Sequence, residues 1–162
     1  MALPNGWVAA GAIAQSVWND AFGLPPLHGL SDVDLVYFDP TDLSERSEAD
    51  HAQRLRGAFR TLPVRLDVKN EARVHLWYAD KFGYAIAPYA SVEAAIATFP
   101  TTATAVALRP RGDGIEICAP FGLDDLFGLV VRANKAQITR AIYEAKLARW
   151  RQFWPSLRFV AW

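Results

Sequence analysis

From Trp7 to Phe22 the apolar positions Val8, Ile13, Val17, Trp18 and Ala21 recur at mostly helical spacing among alanines, and Gly23, Pro25 and Pro26 stop the pattern. A helix is expected there. The loop "GLPPLHGLS" then leads into "DVDLVYF", residues 32–38, where polar and apolar positions alternate as in a strand, and "DPTDLSERSE" supplies turn residues ahead of a helix over about 46–60. In "PVRLDVKN" Val64, Leu66 and Val68 point one way and Arg65, Asp67 and Lys69 the other, which predicts a second strand with one polar face.

Beyond it "EARVHLWYADKFG" predicts a helix ending at Gly83, and "SVEAAIATFP" a short one with Ser91 as N-cap and Pro100 past its end. "TATAVALR" and "IEICAP" are β-prone and joined by the turn "RGDG". "GLDDLFGLVVRAN" opens another helix, and residues from about 135 to 153 form a long C-terminal one that Pro155 closes. The class is α+β: a small mixed β-sheet with packed helices and a helical C-terminal part. The expected organisation is one domain over 1–162, its core about 1–90 and a C-terminal sheet and helical part about 91–162.

Composition changes this picture little. Of 162 residues 52% are apolar and 21% charged, ordinary globular usage that excludes a disordered or fibrous chain. Lys plus Arg (17) balances Asp plus Glu (17), so no global field draws the protein to nucleic acid or membrane. The single Cys118 forms no internal disulfide, there is no signal-peptide pattern, and no run approaches the roughly eighteen apolar residues of a membrane helix. The expectation is a cytoplasmic protein without a membrane partner.

The candidate chemistry lies in the strands. Asp32 and Asp34 share one face of theirs, their Cα atoms roughly 6.6 Å apart. Both stay ionised only if something positive lies between them. Asp67 is a third carboxylate on the polar face of the next strand. Convergence of the three suits Mg²⁺ or Mn²⁺, hard cations that take oxygen ligands, and such a site suits phosphoryl or nucleotidyl transfer. The histidines are scattered without zinc spacing, and no Ser-His-Asp or Cys-His arrangement is present. His28 reads as an exposed loop residue or part of a lid, Asp124 and Asp125 as helix-capping residues. The basic series Lys135, Arg140, Lys146, Arg149, Arg151 and Arg158 reads as a solvated helix face or an approach for an anionic acceptor.

The order of parts is informative: a glycine at a helix start in "AAGAIAQ", then D-V-D on a strand, then a lone aspartate on a later strand. In this the chain resembles the nucleotidyltransferase superfamily that includes DNA polymerase β and the aminoglycoside nucleotidyltransferases. It resembles more closely a bacterial nucleotidyltransferase-like branch, through "GAIAQSVWNDAFG", "DVDLVYFD", "LDVKNEARVHLWY", "KFGYAIAPYASVEAAIATFPTTATAVALR", "APFGLDDLFGLVVRAN" and "WRQFWPSLRF".

The resemblance implies Asp32, Asp34 and Asp67 as catalytic metal ligands for Mg²⁺ or Mn²⁺, and Gly11 and Ala12 at the glycine-serine pair that grips a triphosphate. Ala12 lacks the serine hydroxyl, although backbone N–H groups at a helix start bind phosphate without it. Lys69 and Arg73 are candidates for holding phosphates, Arg73 because a guanidinium grips oxygens bidentately. Asn70 is either a helix cap or a phosphate contact, and Glu71 stands where the family more often has glutamine. The implied activity is transfer of a nucleoside monophosphate from a nucleoside triphosphate to an acceptor, whether small molecule, protein or RNA. The rival readings are a nucleotide-binding module that has lost catalysis and a metal-dependent phosphohydrolase.

Overall fold

The computed structural model describes residue 3 and residues 5–162. Its centre is a five-stranded sheet of β1 (Trp7–Ala9), β2 (Asp32–Tyr37), β3 (Arg65–Asn70), β4 (Ala107–Arg111) and β5 (Gly114–Cys118), in spatial order β3-β2-β1-β4-β5. Only β2 and β3 run parallel, with the helix α2 (Glu45–Ala58) as the crossover that parallel strands require. Every other neighbouring pair in this sheet is antiparallel. The sheet is therefore mixed, and the α+β class stands.

Three expectations are corrected. Residues Trp7–Ala9 are not helical but the central strand, after which Ala10, at φ 57°, turns the chain sharply into α1 (Gly11–Ala21). A three-residue strand abutting a helix shows too little alternation to be separated from the helix's own apolar run. "TATAV" is not extended: Thr101 bridges Ala133, its carbonyl accepts from the N–H groups of Thr104 and Ala105, and β4 begins only at Ala107. The helix after "GL" is a single turn, α5 (Asp124–Phe127), ended by Gly128 and by Leu129 at φ 57°. The chain then enters β6 (Val130–Val131), which pairs in parallel with β7 (Arg158–Phe159) in a second small sheet.

Elsewhere the pattern and the fold agree. Ser44 and Ser91 accept from the N–H groups of Ser47 and Ala94 and so cap α2 and α4 (Val92–Ile96). Gly83, in the left-handed region at φ 83°, ends α3 (Val74–Phe82). The C-terminal helix α6 spans Arg140–Phe153 and starts later than expected because Thr139 caps it through the Ile142 N–H.

Three apolar clusters hold these parts. Tyr37, Val68 and Ala52 join the sheet to α2 on one face. Trp7, Ala9, Val36, Val92, Ile96 and Ala107 join it to α4. Trp18 of α1 meets Trp150 and Trp154 edge-on at 5.4 and 5.3 Å, tying α1 to α6. Asn19 completes that joint: its Oδ1 accepts from the Trp154 indole at 2.7 Å while its amide donates to the carbonyls of Pro26 and His28. His28 is accordingly a strut, with Nε2 3.0 Å from the Phe153 carbonyl, and not a lid.

Candidate active site

The parallel register of β2 and β3 sets Asp32 against Arg65, Asp34 against Asp67 and Val36 against Lys69. Because alternate side chains share a face, the polar face of one strand meets the polar face of the other. Leu66, Val68 and Asn70 are turned to the opposite, buried side. The antiparallel register of β1 and β2 then sets Ala9 beside Asp34. The start of α1, which no side chain caps, thus follows directly on the strand position next to the carboxylates. Gly11 opens that helix, and the Ala12 methyl is buried.

The three aspartates differ in their surroundings. Burial raises the affinity of Asp32 for a proton, but hydrogen bonds from Arg65 at 2.7 Å and Ser31 at 3.0 Å prevail and hold it below the usual carboxylate range. Asp67 is paired with Lys69 at 3.1 Å. Asp34 has no such partner among the described residues: burial, then the charges of Asp32 and Asp67, push it up to about 6, with Lys146 and Lys69 opposing. Lys146 reaches this region from α6, and burial lowers its pKa despite the pull of Asp34. Arg149, one turn further on, donates to Ser31 at 3.0 Å. The basic series on α6 is therefore partly turned to the acidic cluster.

Among the described residues no three acidic, histidine or cysteine side chains are arranged as ready metal ligands. Asp32 and Asp67 are each held by a cation. The donor chemistry nevertheless fits a hard divalent ion, since the register sets the Asp34 and Asp67 carboxylates side by side and Asp34 makes no ion pair among the described residues.

The remaining predicted residues fall into two groups. Lys69 lies on the carboxylate face. Arg73 does not: it is buried, its Nη1 2.9 Å from Glu48 and its Nε donating to the Leu43 carbonyl, so it ties the 3-10 turn Glu71–Arg73 to α2. Its expected phosphate contact is replaced by a structural ion pair, because the chain turns after Asn70 and carries Arg73 toward the α2 face. Asn70 caps that turn through the Ala72 N–H. Asp125 accepts from Arg132 and Thr102 rather than capping α5.

Sequence reasoning passed over Glu71 as a site residue. It is buried, and burial, then the charges of Asp34 and Glu48, push it up to about 8. The available signal was an acid directly after the strand that carries Asp67.

A family model described as nucleotidyltransferase matches residues 1–159. A solved structure described as "The NMR structure of the protein reveals a CCA-adding enzyme head domain" superposes with a TM-score of 0.80 at 26% identity, covering 99% of this chain and 83% of that one. None of the curated proteins matches.

Proposed function

The chain belongs to the nucleotidyltransferase family, and on that footing we propose that it transfers a nucleoside monophosphate from a nucleoside triphosphate to an acceptor hydroxyl, using Asp32, Asp34 and Asp67. The observation that carries the reading is the pairing of Asp34 with Asp67 across β2 and β3, two residues from Asp32 and beside the start of α1. The uncapped helix start, with Gly11 and Ala12, offers backbone N–H groups to the β- and γ-phosphates. Lys69 and Lys146 supply positive charge to the same face.

Asp32 and Asp34, with Asp67 as a further oxygen donor, would hold Mg²⁺ or Mn²⁺, which neutralises charge on the attacking and leaving oxygens. Asp67 accepts the acceptor's proton as the acceptor oxygen bonds to the α-phosphorus. The bond from that phosphorus to the bridging oxygen breaks, and pyrophosphate leaves. Lys69, 3.1 Å from Asp67, fixes the position of that carboxylate. The single Cys118 is in keeping with a cytoplasmic setting, and no helix among the described residues is long and apolar enough to cross a membrane.

One observation favours a second reading, a nucleotide-binding module without chemistry: Asp32 and Asp67 are already neutralised by Arg65 and Lys69. The two readings part in one assay. Nucleoside triphosphate labelled at the α-phosphorus is incubated with Mg²⁺ and separate pools of RNA, protein and small hydroxylated acceptors. Label carried to an acceptor with equal pyrophosphate release supports transfer. Triphosphate bound but unconsumed supports the module, and turnover without a labelled acceptor marks a phosphohydrolase.

A further inference from the structure

Beside the carboxylates, and separate from them, lies a cavity of about 170 Å³ whose walls include Lys69, Glu71, Trp77, Tyr89, Phe99 and Gln137. Glu71 is 5% exposed yet has no hydrogen-bonding partner of its own among the described residues. The charged groups that act on it are Asp34 of β2, Glu48 of α2 and Lys69 of β3, and Glu48 is already committed to Arg73 and to the Asn70 N–H. A buried acid of this kind is costly unless something satisfies it. Gln137 is half-committed, its Oε1 accepting the Tyr89 hydroxyl at 2.9 Å, which leaves its amide N–H₂ as a donor.

We propose that this cavity receives the base of the donor nucleotide, and that it selects bases carrying an exocyclic amino group, whose N–H the Glu71 carboxyl accepts. The inference rests on the nucleotidyl-transfer reading for which nucleotide is meant. The layout supports it. Across the sheet the order is β1 with the start of α1, then β2 with Asp32 and Asp34, then β3 with Asp67 and Lys69. A triphosphate gripped at α1 and reacting over β2 therefore points its sugar and base toward β3, where Lys69 is at once a neighbour of Asp67 and part of the cavity wall. The size fits as well, since a cavity of about 150 Å³ holds a benzene ring. Aromatic walls suit a planar ring because every base offers a π-face to stack on. Selection of an amino group does not depend on the protonation state of Glu71, because a carboxylate and the carbonyl of a carboxylic acid both accept from it.

The test uses the full chain in two arms. In the first, cytidine, adenosine, guanosine and uridine are titrated without metal while backbone amide resonances around Glu71, Trp77 and Gln137 are followed by NMR. At least one amino-bearing nucleoside shifts these resonances and uridine does not. In the second, the four triphosphates are titrated with Mg²⁺ against wild type, Glu71→Met and Asp34→Asn. In wild type an amino-bearing triphosphate binds at least tenfold more tightly than UTP, and Glu71→Met erases that ratio. Among the described residues the Glu71 carboxyl makes no hydrogen bond or ion pair, so this variant is expected to fold, and its thermal transition verifies that it does. Equal shifts from uridine, no shifts from any nucleoside, or an undiminished ratio in Glu71→Met would overturn the proposal. Triphosphate binding that is lost in Asp34→Asn but indifferent to the base overturns the base subsite and leaves the transfer reading standing; nucleosides in the cavity without metal-dependent triphosphate binding would do the reverse to the carboxylate site and would sink the donor assignment.

Discussion

Asp34 and Asp67 are register partners on adjacent parallel strands, and burial, then the charges of Asp32 and Asp67, raises the proton affinity of Asp34. Its carboxyl is raised from 3.8 to about 6, so the folded chain holds a proton that the unfolded chain has lost. Stability from this group is complete below about pH 4 and falls as pH rises through 6. The shift corresponds to on the order of 2–3 kcal/mol. Asp34→Asn is accordingly expected to raise the melting temperature of the metal-free protein at pH 7.5, and to abolish the further rise that saturating Mg²⁺ gives the wild type. Differential scanning calorimetry with and without Mg²⁺ checks both signs.

Glu71 acts in the same direction at higher pH. With the folded value about 8 against a usual 4.5, the folded chain retains a proton through the neutral range, and stability declines from about pH 4.5 until about pH 8 is passed. Glu71→Met is expected to flatten the melting temperature between pH 6 and 9 and to raise it at pH 8. An unchanged slope in the variant would show that another group governs this range.

Arg73 and Lys69 both follow the third carboxylate in the sequence, yet only Lys69 lies on its face, and their removal is expected to have different consequences. Arg73→Ala leaves Glu48 buried without its partner and should cost about 3–5 kcal/mol in urea unfolding. Lys69 is partly exposed beside Asp67, and Lys69→Ala should cost no more than about 1 kcal/mol of stability while weakening triphosphate binding. Urea titrations paired with calorimetric binding separate the two roles.

Asn19 fixes α6, and α6 brings Lys146 to the acidic face. Asn19→Ala removes three hydrogen bonds and strands the Trp154 indole, with an expected loss of about 2–4 kcal/mol. Near-ultraviolet circular dichroism should report disturbed tryptophan packing at the Trp18–Trp154 contact, and chemical denaturation the size of the loss.

The alternation of "DVDLVY" and "RLDVKN" made the carboxylate face readable, because a period of two assigns faces without knowledge of strand pairing. The direct opposition of Asp34 and Asp67 was not readable, since register depends on the α2 crossover and on tertiary packing. Arg73 shows the limit from the other side. Beyond Asn70 the strand alternation no longer holds, as the chain leaves β3 and turns, so position in the sequence was no guide to which face Arg73 would join. Trp7–Ala9 was not legible for a different reason: three extended residues abutting α1 show too little alternation to stand apart from the helix's apolar run, and only pairing with β2 and β4 marks them as a strand. Lys146 lay in a basic series whose inward member only the packing of α6 distinguishes.

The central claim is that Asp32, Asp34 and Asp67 form a metal-dependent triphosphate site. Its most direct test is calorimetric titration of the four nucleoside triphosphates, with Mg²⁺ and with chelator, into wild type and Asp34→Asn. The account predicts binding that needs the metal and is lost in the variant; binding by the wild type that is indifferent to Mg²⁺, or retained in folded Asp34→Asn, would contradict it.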